Sequence, residues 1–162
     1  IADYMAQFAA IYDAGLCRNL GVSNFTKPYL AKAIDLLGDR PILTNQVELH
    51  VYLHNMPIVE ACRARGIPMT AYSPLARGAI LDDPVLVRIG KVHGATASQI
   101  ALAWLLSEGH IIIPSAGSQA RMAENLAAGN IRLNTKERAD IAQLDRGMRL
   151  VNDPWCPAWD VS

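Results

Sequence analysis

At 162 residues, 51% apolar and 19% charged, the chain is long enough for one domain with a sizeable core and too apolar to remain disordered. Its formal net charge is zero, so no general attraction draws it to nucleic acid or to an anionic membrane, and any anion must be met by a local arrangement. No apolar run approaches the ~18 residues of a membrane span, the N-terminus lacks a signal-peptide pattern, and Cys17, Cys62 and Cys156 form no CxxC pair. Nucleic-acid binding, membrane partnership and a disulfide framework are therefore set aside. Buried or idle thiols in the cytoplasm are expected, and no cysteine stands where it could be a nucleophile.

In chain order, residues 2–14 place Met5, Phe8, Ala9 and Tyr12 on one helical stripe, and Gly15 suits the cap. The sequence begins with Ile1 inside helical sequence, so the chain is expected to enter its fold part-way. Strand one is predicted from Cys17 to Val22. A helix with Leu30, Ala33, Ile34 and Leu37 on its inner face comes next, closed by Gly38. Strand two runs from Ile42 to Val47, and Asn55 can cap a helix to Arg65 that buries Ile58, Val59 and Cys62. Strand three is Ile67 to Tyr72. Asp83-Pro84 opens a helix to Val92, and Thr96 with Gln99 has the spacing of a capping box for a helix to Leu106. Strand four is Ile111 to Ile113. Ser118 can cap a helix to Ala127, Asn134 to Glu137 opens a last helix ending near Leu144, and residues 149–162 read as an irregular tail.

Four strands alternating with helices predict an α/β fold with parallel strands and right-handed crossovers. Helices on one side leave the second sheet face bare, and each exposed apolar side chain forgoes roughly 1.5–3 kcal/mol of burial. Either helices cover that face too, as in an open doubly wound sheet, or the sheet is half of a closed barrel. The turn after strand one lacks a glycine-rich phosphate loop, which favours the half-barrel.

Each apolar strand ends in small polar residues: Gly21-Val22-Ser23-Asn24-Phe25, Asn45-Gln46-Val47-Glu48, Ala71-Tyr72-Ser73-Pro74-Leu75 and Ile113-Pro114-Ser115. In barrels and open α/β sheets, ligands meet the chain at those ends. Ser23, Asn24 and Gln46 can bond an amide, and Tyr72 offers a flat face for an aromatic ring. The loop from Ser73 through Leu75 to Gly78, with Arg77, can approach a pyrophosphate closely. Arg121, Glu124 and Asn125 sit on the helix after strand four, whose N-terminus suits an anion.

These four motifs, in this order, with Arg121, Glu124 and Asn125 behind the last, resemble the aldo-keto reductases over nearly the whole chain. The tail Arg149-Leu150-Val151 and Pro157-Ala158-Trp159-Asp160 is similar to that of the bacterial 2,5-diketo-D-gluconate reductases. The resemblance implies the second half of a (β/α)8 TIM barrel, strands five to eight with their helices. It implies a nicotinamide dinucleotide, NADPH, bound by Ser23, Asn24, Gln46, Tyr72, Ser73, Leu75, Gly78, Ser115, Ser118, Arg121, Glu124 and Asn125. It implies a small carbonyl substrate, an aldehyde or a diketo sugar acid. Many members carry Lys-Ser where this chain has Ser115-Ala116, so one cation for the 2′-phosphate is replaced and NADH is a possible cofactor as well.

The family's Asp, Tyr, Lys and His that perform the reduction belong to the first four strands, so no catalytic residue is assigned here. The competing expectation is a non-catalytic, truncated half-barrel that binds nucleotide or only assembles, as a homodimer or higher assembly, to close a barrel. His50 and His54 stand four apart, but beside a strand end and in loop sequence they read as packing histidines rather than metal ligands. Trp155 and Trp159 could wall a substrate pocket or pack on the barrel rim.

Overall fold

The computed structural model describes residues 1–160. The elements are α1 (Ala2–Asp13), β1 (Leu20–Ser23), α2 (Lys27–Leu37), β2 (Ile42–Glu48), α3 (Met56–Arg63), β3 (Met69–Tyr72), α4 (Pro84–His93), α5 (Ala97–Ser107), β4 (Ile111–Ile112), α6 (Gln119–Ala127) and α7 (Thr135–Ala142). Short 3-10 turns add Ala76–Gly78 and Ala128–Asn130. β1 runs parallel to β2, and β3 runs parallel to β4. Among the described residues, no helix is long and apolar enough to cross a membrane.

Two compact units divide the chain. The first holds Ile1–Val47, Asn55–Met69 and the described residues from Asn152 onward; the second holds Glu48–His54 and Thr70–Val151.

In the first unit, Val22 pairs with Asn45 and Ser23 with Gln46, so these couples share faces of the ladder. Leu20, Val22, Ile42, Asn45 and Val47 are buried, and α2 and α3 contribute Leu30, Ala33, Leu37, Ile58, Val59 and Cys62 to this core. The opposite face carries Gly21, Ser23, Thr44 and Gln46, none of them buried. A shift of register between Leu20 and Gly21 inserts Leu43, which stands 51% exposed. At Gly21 a Cβ would come within 3.3 Å of the Thr44 methyl, so a side chain there would crowd the neighbouring strand. Only Met5 of the expected α1 stripe is buried. Tyr4, Met5 and Phe8 instead border an apolar cavity of about 750 Å³ on the open face.

The second unit is built around α5, whose residues Ala97 to Leu105 are almost all buried; such a helix is apolar all round rather than amphipathic. α4 and α6 pack against it. The expected caps form at both ends of this sequence: Asp83 accepts from the N–H groups of Val85 and Leu86, and Thr96–Gln99 and Asn134–Glu137 are complete capping boxes.

Several boundaries differ from the sequence reading. β1 begins at Leu20, not Cys17, because Gly15 turns left-handed and Leu16 donates back to the Ile11 carbonyl, leaving Arg18 and Asn19 exposed outside the ladder. β3 begins at Met69, not Ile67, because Pro68 has no N–H to donate; its carbonyl still accepts from the Asn45 N–H at 3.2 Å. β2 extends to Glu48. Asn55 precedes α3 in a left-handed conformation and makes no side-chain cap, and α7 stops at Ala142, before Leu144.

Beyond β2, buried polar side chains hold the chain in place. Glu48, His50 and Tyr52 lie within the second unit. Glu48 accepts the N–H groups of Leu150 (2.7 Å) and Val151 (2.9 Å), one on each carboxylate oxygen, and so holds the start of the C-terminal tail. The Tyr52 N–H donates to His50 Nδ1 at 3.3 Å, so the ring hydrogen resides on Nε2 and is donated to Glu48 at 3.1 Å. Burial alone would raise the Glu48 carboxyl, but the three donors outweigh it and hold it below the ordinary glutamate range. Tyr52 donates its hydroxyl to Asp83 at 2.7 Å beneath the Arg146 guanidinium, which lies 3.7 Å from the ring centre. His54 stacks on Trp104 with centroids 4.6 Å apart, so both histidines have packing roles.

Glu48→Ala strands two backbone N–H groups and a histidine in the interior and is expected to cost about 3–5 kcal/mol, read as a lowered urea midpoint. Because the folded carboxyl is lowered, its stabilisation is present above the unfolded value of about 4.3 and is lost as pH falls through the folded one; Glu48→Gln should flatten that acid limb. Burial, then the Asp83 carboxylate, pushes the Tyr52 phenol up to about 12. Ultraviolet titration should show one late tyrosine that disappears in Tyr52→Phe.

Candidate functional site

Where β1 stops, the Asn45 side chain takes over the role of a neighbouring strand. It donates from Nδ2 to the Phe25 carbonyl at 2.8 Å and accepts the Phe25 N–H on Oδ1 at 3.4 Å. Nδ2 also faces the Cys62 sulfur of α3 at 4.0 Å. With Phe25 pinned, the preceding residues are forced into a tight exit. Asn24 adopts φ 57 and gives its N–H to the Gln46 carbonyl at 2.8 Å. The Ser23 hydroxyl donates to the same carbonyl at 3.1 Å, which leaves its lone pairs as acceptors.

Ser23 and Gln46 therefore stand side by side on the open face and line the first unit's cavity; Asn24 does not line it. Asn24 Oδ1 is nonetheless buried with no hydrogen-bond partner among the described residues. An orphaned buried acceptor costs about 1–3 kcal/mol, and an amide N–H₂ from a ligand is the kind of group that would relieve it.

The second unit supplies a more polar cavity of about 690 Å³. Of the residues expected to bind a dinucleotide, Ser73, Leu75, Gly78, Ser115, Arg121, Glu124 and Asn125 all line it, together with Arg77. The loop after β3 reaches it through an unusual backbone. Ser73, Ala76, Arg77 and Gly78 all have φ between 46 and 92, and non-glycine residues adopt such values only at a cost. The N–H groups of Ala76, Gly78 and Ala79 go to the Ser73, Leu75 and Ala76 carbonyls at 2.8, 2.8 and 3.0 Å, so the loop is held in this shape by its own backbone bonds. On the opposite wall, Ser118 caps α6 by accepting the Arg121 N–H at 3.3 Å, leaving earlier N–H groups of the first turn without in-helix acceptors. The Arg121 guanidinium enters no ion pair among the described residues, so a cation unpaired by any of them and a helix N-terminus share this wall.

Not every expected residue is gathered in. Ser118 serves as a cap and does not line the cavity, and Tyr72 stands half-buried at the end of β3 outside the lining. Trp155 is 81% exposed, while Trp159 donates its ring N–H to Asn152 at 3.0 Å within the tail of the first unit. Ser98 was missed: it is buried in the first turn of α5 and lines the polar cavity. Its only sequence signal was its place inside a capping box, which reads as local structure.

Residues 1–146 match the profile described as the Aldo/keto reductase family. Methylglyoxal reductase DkgB of Salmonella typhi is 40% identical over 161 residues, covering 99% of this chain and 60% of that protein. The Escherichia coli O157:H7 DkgB is 39% identical over the same length. A crystal structure assigned as a 2,5-diketo-D-gluconic acid reductase B superposes with TM-score 0.94 at 36% identity, covering 99% of this chain and 58% of that one. A mutant of Gox0644 in complex with NADPH gives TM-score 0.89 at 29% identity, covering 94% of this chain and 56% of that one. The chain thus spans about three-fifths of the length of the curated relatives it matches. An α/β chain of four parallel strands whose ends release these polar residues in this order, matched along nearly all its length, belongs to the aldo/keto reductase family.

Proposed function

We propose that this chain is the cofactor-binding half of an NADPH-dependent reductase of small carbonyl compounds, corresponding to strands five to eight of the (β/α)8 barrel. The observation that carries the reading is the convergence of Ser73, Leu75, Gly78, Ser115, Arg121, Glu124 and Asn125 on one cavity, from segments that α4 and α5 separate in the sequence. The DkgB relatives are named as methylglyoxal reductases, which supports an aldehyde or keto-aldehyde substrate; the likeness to a diketo-gluconic acid reductase supports a diketo sugar acid as the other member of that class.

In this reading each residue's role comes from its chemistry. Arg121 and the first turn of α6 neutralise the 2′-phosphate, with Ser115 donating in place of the lysine that many family members carry. The left-handed loop from Ser73 to Gly78 lies along the pyrophosphate. Glu124 and Asn125 hold the adenine. Ser23, Asn24 and Gln46 orient the nicotinamide carboxamide, and Tyr72 is the ring's stacking partner. When bound, NADPH supplies the hydride. The proton that completes the reduction comes from an acid on the barrel's other strands, since Tyr52, the most buried tyrosine here, is committed to Asp83.

A second reading is favoured by exposed apolar surface: the chain on its own joins a second copy to close its bare strands. In the first unit Tyr4 is 72% and Leu43 51% exposed, and in the second Ile111 is 49% and Ile113 45% exposed. Such residues cannot stay in water cheaply.

Fluorescence titration of the purified chain should show NADPH binding. Arg121→Ala should weaken it about 10- to 100-fold while changing NADH affinity little, the loss expected for one charge-assisted contact. Equal losses for both nucleotides would remove Arg121 from the 2′-phosphate site. The 162-residue chain alone should not oxidise NADPH in the presence of methylglyoxal; turnover would place the acid within this chain. Sedimentation velocity should give a dimer or larger species, and a monodisperse folded monomer would dismiss self-assembly.

A further inference from the structure

The capping box that opens α5 makes more bonds than a cap requires. Within the box, the Gln99 N–H donates to Thr96 Oγ1 at 3.2 Å and the Thr96 N–H donates to Gln99 Oε1 at 3.0 Å. Those two bonds are the local motif. Both side chains have one further group, and both direct it to the same residue of α6. The Thr96 hydroxyl donates to Glu124 Oε1 at 2.6 Å, and Gln99 Nε2 donates to the Glu124 carbonyl at 3.1 Å. Glu124 lies in the last turns of its helix, where carbonyls run out of in-helix donors, so the amide meets a real deficit.

A hydroxyl has one hydrogen. Because Thr96 already accepts from Gln99, its hydrogen is directed at Glu124 and nowhere else. The short charge-assisted bond ties Oε1, while Oε2 has no bond among the described residues and belongs to a side chain lining the polar cavity. A free glutamate would sample several rotamers, each costing entropy to fix when a ligand binds; here the Thr96 hydroxyl restrains the carboxylate beforehand, while Gln99 holds the backbone beneath it.

We infer that Thr96 is a positioning residue for cofactor specificity: through its hydroxyl it aims the Glu124 carboxylate at the exocyclic amino group of the adenine. The inference rests on the proposal that this cavity takes the adenosine end of NADPH. Glu124 can accept from the 6-amino group of adenine but is repelled by the 6-carbonyl of hypoxanthine; because hypoxanthine also gains a hydrogen on N1, the contact is read by comparing NADPH with its hypoxanthine analogue across Thr96 variants.

The test is a binding titration of both nucleotides to the wild-type protein and to Thr96→Val, Thr96→Asp and Thr96→Ser, with melting temperature measured alongside. Aspartate is a good N-cap and keeps the bond from Gln99, but it cannot donate and it repels Glu124, so it separates capping from aiming. The wild type should prefer NADPH by roughly tenfold, the worth of one hydrogen bond to a charged group. Thr96→Val and Thr96→Asp should lose that preference through weaker NADPH binding alone, Thr96→Ser should restore it, and Thr96→Asp should melt with the wild type. Retained preference in the valine and aspartate variants, or parallel loss of both nucleotides, overturns the inference and reduces Thr96 to a cap. A wild type that binds both nucleotides equally overturns it too, while leaving the cofactor reading standing. A wild type that binds neither overturns the cofactor reading itself.

Discussion

At the end of β2 two buried polar side chains, Asn45 and Glu48, supply the hydrogen bonds that the sheet stops supplying. A parallel strand that ends must leave N–H and C=O groups behind, and burial makes each of them costly. Asn45 answers with an amide, which can donate and accept at once, and closes on both polar groups of Phe25. Glu48 answers with a carboxylate, which only accepts, and takes the N–H groups of Leu150 and Val151. The residue type matches the task in each case. Asn45 determines how the chain leaves β1, and hence where Ser23 and Asn24 stand. Glu48 determines where the C-terminal tail begins its course.

The same pattern recurs at the helix termini. Thr26 precedes α2 but makes no side-chain cap; the Lys27 N–H is instead taken by Asp160 at 2.8 Å, from a residue 133 positions away in sequence. The α5 box caps its own helix and grips the next one. Ser118 caps α6 and leaves the rest of that first turn available. Of these only the α5 box joins a local motif to a longer-range contact, and α2 takes its cap from the far end of the chain.

The open face of the first unit and the left-handed loop of the second describe a fold prepared for something it does not itself contain. Strand ladders that carry Gly21, Ser23, Thr44 and Gln46 on an unburied side forgo hydrophobic stabilisation there. Three left-handed non-glycine residues after β3, Ser73, Ala76 and Arg77, add backbone cost. Costs of this sort persist where the rest of the structure over-determines the conformation, and they cluster where ligands bind. The membership of the aldo/keto reductase family gives that pattern a setting, and the chain's three-fifths coverage of its relatives agrees with a sheet that has faces left over.

Much of this was legible in the amino-acid order. Apolar runs ended by polar residues marked all four strands. Capping spacings placed Asp83, Thr96, Ser118 and Asn134, each of which caps as expected, because a cap involves atoms three or four residues apart and the chain cannot avoid bringing them together. The residues of the polar cavity were also named from the motifs. Local causes moved the strand starts, the Gly15 turn before Leu20 and the missing N–H of Pro68 before Met69; the other differences were the uncapped Asn55, the partial exposure of Phe8 and Tyr12, and the capping task of Ser118. Spacing alone could not reveal that Asn45 binds Phe25, that Asp160 caps α2, or that Thr96 reaches Glu124, since those pairs are 20, 133 and 28 residues apart. The sequence by itself determined the alternation of elements and the chemistry gathered at strand ends, because both are written in short-range pattern. Only the tertiary structure decided which of those groups give their hydrogen bonds to one another and which remain for a ligand, because each donor hydrogen can be given once and its nearest acceptor is set by packing.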